Sequence, residues 1–200
     1  MTARTVHLVR HATHGALGGR LCGRAPGFDL SQEGRGQALA VAERLSAQGL
    51  EAVMTSPLER AWQTAEAIAE ACAVPLQVDA GLIEIDFGDW TGAEFAALDD
   101  DPRWRRWNSD RGRTRPPRGE SMAEAQARMA RWLDGLCAPG APSNVAAVSH
   151  ADVIRAAVAH VLGLPLQFYD RFDISPASIT TLRIDEDGPR LLTLNEIAHV

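Results

Sequence analysis

The chain contains no lysine: all 20 of its basic residues are arginine. That excludes Schiff-base chemistry and any phosphate loop built on a lysine. The planar, bidentate guanidinium is left as the one permanently cationic side chain. Cysteine is scarce as well. Cys22, Cys72 and Cys137 are odd in number and share no metal-ligand spacing, so free thiols in a reducing compartment are expected. No apolar run approaches the ~20 residues that cross a bilayer. Arg10 and His11 interrupt the apolar run nearest the N-terminus, which therefore does not read as a signal peptide. The expectation is a cytoplasmic protein that does not enter a membrane. A net charge of −6 turns the molecule as a whole away from nucleic acid and acidic lipid. The Gly-x-x-x-x-Gly-Lys loop, the Gly-x-Ser-x-Gly elbow and the His-Glu-x-x-His helix are all missing. This speaks against P-loop nucleotide binding, serine hydrolysis and zinc-protease chemistry. No metal site and no cofactor motif is read from the chain.

What is present is an ordinary globular composition, 46% apolar and 23% charged over 200 residues. Residues 1–200 read as one domain, with strands and helices alternating along the chain. That pattern predicts a three-layer α/β/α sandwich on a mostly parallel sheet. Residues 5–9 form a first strand that ends in Arg10-His11 and breaks into glycine-rich sequence. Ser31 reads as the cap of a helix whose apolar positions are Leu39, Val41, Ala42 and Leu45. Residues 52–55 form a second strand. The following Ser56-Pro57-Leu58-Glu59 reads as a capping box with proline at the first helical position, opening a helix to about Ala73. Residues 76–78 are a third strand. Residues 82–90 hold Glu84, Asp86 and Asp89 among Ile, Phe and Trp. Residues 99–119 interleave seven arginines with Trp104 and Trp107; they read as a solvated, partly mobile lid rather than a single-strand nucleic-acid platform. Ser121 and Glu124 form a second capping box, residues 145–148 an apolar strand ending in Ser149-His150, and residues 151–162 an apolar helix. Residues 179–184 and 190–194, around Asp187-Gly188, read as a hairpin at the sheet edge.

Two strands thus deliver a histidine each at a carboxyl end, where open α/β sheets bind ligands. Arg60 falls in the first turn of a helix, where the dipole disfavours a cation unless an anion joins it. Two histidines, two arginines and an acid, with no metal spacing, point to phosphoryl transfer through a histidine nucleophile. Arg10 and Arg60 would clamp the phosphoryl oxygens, His11 would take the group, and His150 would contact its equatorial oxygens. A carboxyl in an apolar setting would protonate the leaving oxygen. Glu84, Asp86 and Asp89 are all candidates.

At this point the chain resembles the histidine phosphatase superfamily, which includes cofactor-dependent phosphoglycerate mutases. Leu8-Val9-Arg10-His11, the block from Ser56 to Ala65, Leu82-Ile83-Glu84 with Phe87 to Gly92, Pro117 to Ser121, and Val148-Ser149-His150 match its motifs in order. The resemblance implies that His11 is phosphorylated, that Arg10, Arg60 and His150 form the phosphate pocket, and that Glu84 is the proton donor. Departures follow each histidine. Ala12 stands for a glycine, Thr13 for the acid, His14 for a threonine, Leu17 for an asparagine that often holds phosphate, and Ala151 for the glycine after the second histidine. Ala151 and His14 are carried as candidate substrate contacts. The expected activity is a metal-independent phosphomonoesterase acting on a small phosphorylated molecule. A mutase and an inactive phosphate-binding module are the alternatives, and oligomeric state is open between monomer and homodimer.

Overall fold

Among the described residues, alternation of period two in the strands and of period 3.6 in the helices gives one six-stranded sheet flanked by six helices. The computed structural model describes residues 3–198. Its elements are β1 (Arg4–Arg10), α1 (Gln32–Ser46), β2 (Ala52–Thr55), α2 (Glu59–Cys72), β3 (Leu76–Val78), α3 (Phe95–Leu98), α4 (Pro102–Ser109), α5 (Met122–Gly135), β4 (Asn144–Ser149), α6 (Ala151–Val161), β5 (Ser178–Asp185) and β6 (Gly188–Ile197). Short 3₁₀ turns flank the Glu84 segment.

The sheet order is β3-β2-β4-β1-β5-β6. β3, β2, β4 and β1 run parallel, while β5 and β6 join antiparallel at one edge. This is the expected mostly parallel α/β/α architecture, and the edge hairpin is where the sequence placed it. The continuous apolar run of β4 is explained by burial on both faces. Val145 and Ala147 pack towards α5 and α6, while Ala146 and Val148 pack towards α1 and α2.

Three expectations are corrected. Leu39 does not face the core: α1 starts at Gln32 and buries Gln37, Ala38, Val41, Ala42 and Leu45, leaving Leu39 64% exposed. Ser56 does not cap α2, which starts at Glu59 after Leu58 without a side-chain cap. Its hydroxyl is engaged elsewhere, and Glu59 accepts a hydrogen bond from Gly27 N (3.0 Å). Nor is the Arg/Trp segment a solvated lid. Asp101 caps α4, and Trp104 and Trp107 both turn inward, with Trp107 fully buried and Trp104 edge-on to Trp90. The spacing of three between the tryptophans puts both on one helical face. Ser31 and the Ser121/Glu124 box do cap their helices.

Candidate active site

Parallel pairing of β1 with β4 decides the geometry. Arg10 lies opposite Ser149, and His11 N donates to Ser149 O (2.9 Å). The residues that follow each strand therefore emerge side by side, with the His11 and His150 rings 5.1 Å apart. The turn after β1 is held from both helices beneath it. Ala12 N donates to Thr64 Oγ1 (3.0 Å) and Thr13 N to Gln37 Oε1 (3.0 Å). Gly34 permits this docking, because a Cβ there would lie 1.9 Å from Thr13 O.

His11 is buried, and its Nδ1–H donates to Ala12 O (2.8 Å). Alanine in place of glycine keeps this carbonyl in position, since Ala12 does not adopt a positive φ. The bond fixes the tautomer and leaves Nε2 without a proton, as an acceptor. Burial, then Arg60 and Arg10, hold the imidazole well below its ordinary pKa, so it is neutral.

Arg60, in the first turn of α2, is 2% exposed. Its Nε donates to His11 Nε2 (3.3 Å) and its Nη2 to Gly23 O (2.8 Å), while Nη2 lies 3.3 Å from His150 Nδ1. Its Nη1 is buried with no partner. Arg10 gives Nη1 to Ile174 O (2.7 Å), and its Nε is likewise buried without a partner. Buried, orphaned donors on the buried Arg60 and the half-buried Arg10 are costly unless an anion meets them. His150 is fully buried and shares a 2.8 Å hydrogen bond between Nε2 and Ser56 Oγ. Ser56, which the sequence assigned to a helix cap, orients this ring instead.

Glu84 reaches the same space from the segment after β3. Ser149 Oγ donates to Leu82 O (2.7 Å), Arg24 Nε to Glu84 O (2.7 Å), and Glu120 accepts from Arg24 Nη2 (2.9 Å) and Arg128 Nη2 (2.9 Å). The Gly-Glu-Ser block thus serves as the brace of the acid loop, and Gly88 lets it close: a Cβ there would meet Pro117 O at 2.1 Å. Glu84 Oε2 lies 3.9 Å from His150 Nδ1, and Oε1 accepts from Ile85 N (2.8 Å). Burial, with the Asp152 carboxylate second, pushes its pKa up to about 7 against Arg60 and Arg10. Of the three acids left open by the sequence, Glu84 enters the cavity. Asp86 and Asp89 instead pair with Arg24 and Arg118 outside it.

The cavity measures about 160 Å³, and Leu17, Leu21, Phe87 and Phe95 line it beside the polar groups. His14 stands in it too, 5% exposed, its ring 5.4 Å from that of His11 and its Nδ1 buried without a partner. Burial, Arg60 and Arg10 bring its pKa down to about 4, so it is neutral. Ala151 is the first residue of α6, and the N-terminus of that helix, uncapped by any side chain, faces the same cavity. Of the residues singled out from the sequence, Arg10, His11, His14, Arg60, Glu84, His150 and Ala151 converge, and Asp86 and Asp89 do not. Larger cavities lie elsewhere, of about 350 Å³ around His7 and about 430 Å³ around Arg24 and Arg118, but neither holds a nucleophile beside unpaired cations. Sequence reasoning missed Gly34, Gln37, Ser56, Thr64 and Asp152. Gly34 carried one signal, a helix-breaking residue inside a helical pattern. Among the described residues no group of three or more His, Cys, Asp or Glu side chains is placed to hold a metal ion, and no helix is long and apolar enough to cross a membrane.

Comparison with known proteins agrees with this geometry. A structure of mycobacterial glucosyl-3-phosphoglycerate phosphatase superposes with a TM-score of 0.85 at 29% identity, over 97% of this chain and 99% of that one. Phosphoserine phosphatase 1 of Hydrogenobacter thermophilus is 31% identical over 174 residues, 86% of this chain and 82% of the relative. A Proteus mirabilis protein named "Probable phosphoglycerate mutase GpmB" is 35% identical over 205 residues, 98% of this chain and 94% of its own. The model of the histidine phosphatase superfamily (branch 1) matches residues 6–197, and the chain belongs to that family.

Proposed function

We propose that the chain is a phosphomonoesterase that hydrolyses a small phosphorylated molecule through a phosphohistidine on His11. One observation carries this reading: the buried Arg60 and the half-buried Arg10 each keep a buried, unpartnered donor in the site of a neutral histidine whose Nε2 bears no proton. The phosphoryl group of the ester sits between Arg10 and Arg60, which supply bidentate, charge-assisted hydrogen bonds to its oxygens. The lone pair on His11 Nε2 attacks phosphorus. The bond to the ester oxygen breaks, and the Glu84 carboxyl gives its proton to that oxygen, releasing the alcohol. Arg60 Nη2 donates to His150 Nδ1, so His150 carries its proton on Nε2, gives it to Ser56 Oγ in a hydrogen bond, and holds the Arg60 guanidinium towards the phosphoryl oxygens. Water then attacks phosphorus, Glu84 takes its proton, and the phosphorus–nitrogen bond breaks to give inorganic phosphate. Donors aimed at the developing charge are worth about 3 kcal/mol each in such a site.

Phosphate release from a panel of phosphomonoesters, with His11→Ala as control, tests the reading. Release that falls at least about a hundredfold in the variant is expected, with a phosphohistidine trapped on the wild-type chain. A folded wild-type protein that releases phosphate from none of them overturns it. Phosphoryl transfer between phosphoglycerates without release would make the chain a mutase.

A further inference from the structure

The Arg/Trp segment still needs an account, and Arg111 supplies it. It is the buried arginine of that segment, with its guanidinium against the rings of Tyr169 (4.3 Å) and Trp107 (5.1 Å). Its Nη2 donates to Asn108 Oδ1 (2.8 Å) and its Nη1 to Asp152 Oδ2 (2.6 Å). The other Asp152 oxygen lies 3.5 Å from Arg155 Nη1, one helical turn on. Asp152 sits in the first turn of α6, two residues after His150, and lines the same cavity as Glu84 and Arg10. A carboxylate held this firmly, so close to the reacting groups, has no part in the steps above.

We propose that Asp152 is a positioning residue for proton transfer: fixed and kept ionised by Arg111 and Arg155, its carboxylate is the like charge that keeps Glu84 protonated until the ester's leaving oxygen arrives. This rests on Glu84 being the proton donor. The surroundings of Glu84 make the balance explicit. Arg10 faces it from the end of β1, Arg60 from α2, His150 from the β4–α6 junction, Asp152 from α6 and Cys22 from the loop after β1. The two arginines favour the carboxylate, whereas burial and Asp152 favour the acid. His150 is neutral, its pKa well below the ordinary range through burial and Arg60. Asp152 is itself faced by Arg111, Arg155, Arg10 and Tyr169, and the first two hold its carboxyl below the usual range in spite of burial. One acid is thus locked charged so that its neighbour stays protonated, the two carboxyls being driven apart by their surroundings. In this account α4 and the turn after it carry the frame, Trp107 and Arg111, that fixes the charge.

The test is the pH profile of kcat/KM for an alkyl phosphate, with a poor leaving group, and an aryl phosphate, with a good one, in Asp152→Asn. Removing the like charge lowers the Glu84 pKa. The alkaline limb for the alkyl ester is therefore expected to move about one pH unit towards acid, a loss of about tenfold above it. The aryl ester, which needs no acid, stays within about twofold. An Arg111→Gln/Asp152→Asn double variant removes both ions of the pair, leaves no orphaned charge if the single variant fails to fold, and is expected to show the same displacement. An unmoved limb in a folded variant overturns the proposal, as does equal loss on both esters at every pH, which marks a purely structural role. Glu84→Gln is the control. If it keeps the wild-type profile, the proton-donor reading itself fails. If it loses the alkaline limb while Asp152→Asn keeps it, only the role of Asp152 falls.

Discussion

Replacing Arg60 by methionine separates binding from folding at one residue. In the site, Nη1 has no partner and Nε meets only His11 Nε2, so both are free to turn to a phosphoryl oxygen. Each charge-assisted hydrogen bond contributes roughly 1.5–3 kcal/mol. Two amount to about 3–6 kcal/mol, or a loss of about 10²–10⁴ in kcat/KM at 1.4 kcal/mol per factor of ten. Stability has the opposite logic. Methionine fills a similar length, and removing a desolvated cation without a counter-ion is neutral or stabilising. The Gly23 carbonyl loses its donor, which costs about 1–3 kcal/mol. The two effects oppose, and the melting temperature of the phosphate-free variant should stay within about 4 °C of wild type. Vanadate supplied at about 100 times its Kd should raise the wild-type melting temperature by roughly 5–10 °C, corresponding to about 2.7 kcal/mol, and leave the variant unmoved. The assays are kcat/KM on the best ester of the panel and thermal melts with and without vanadate. A loss under about tenfold, or a phosphate-free variant melting far below wild type, would refute the reasoning that Arg60 is held for an anion at the expense of stability.

Glu84→Gln should slow alkyl phosphates about 10²–10⁴-fold and aryl phosphates far less; equal slowing would remove the leaving-group acid from the scheme. The sign of the wild-type pH dependence follows from the two pKa shifts. Glu84 must be protonated, so kcat/KM for poor leaving groups falls as pH rises through about 7. His11 must be neutral, so the acid limb lies well below the ordinary imidazole range. A rate that rises through pH 7 to 9 would contradict both assignments. Trp107→Ala, which empties a fully buried site between α4 and the core, should destabilise by about 3–5 kcal/mol in denaturant unfolding. A change below about 1 kcal/mol would mean that α4 is not packed as described.

The parallel sheet and the convergence of the two strand-end histidines were legible because both obey short-range rules. An apolar run ending in Arg-His has few uses other than a strand end facing a ligand, and alternation of strands with helices implies the crossovers that bring strand ends together. The choice of Glu84 over Asp86 and Asp89 was not legible from the residues, since all three lie among the same apolar neighbours. It is the brace from Arg24, Ser149 and Glu120 that aims one of them inward. Ser56 misled for a related reason. A serine, a proline and a glutamate at capping spacing satisfy the local rule, yet the hydroxyl makes its bond to a histidine 94 positions away in the sequence. The Arg/Trp segment misled because seven arginines mask two inward tryptophans when the stretch is read by composition rather than by face.

The pairing of β1 has a consequence for how the molecule comes into being. Its two neighbours are β4 and β5, whose residues 144–149 and 178–185 follow it by more than 130 positions. β1, which His11 follows, is made before both of its partners and must wait for them. At about 5–20 residues per second that interval is roughly 10–40 seconds, in which Val6, Leu8 and Val9 have no native partner strand. The middle of the chain can pair earlier, since β2 and β3 are close in sequence, but they await β4 as well. The candidate site therefore closes late, by long-range parallel pairing, and the nascent chain is most exposed to misassociation just before β4 and β5 emerge.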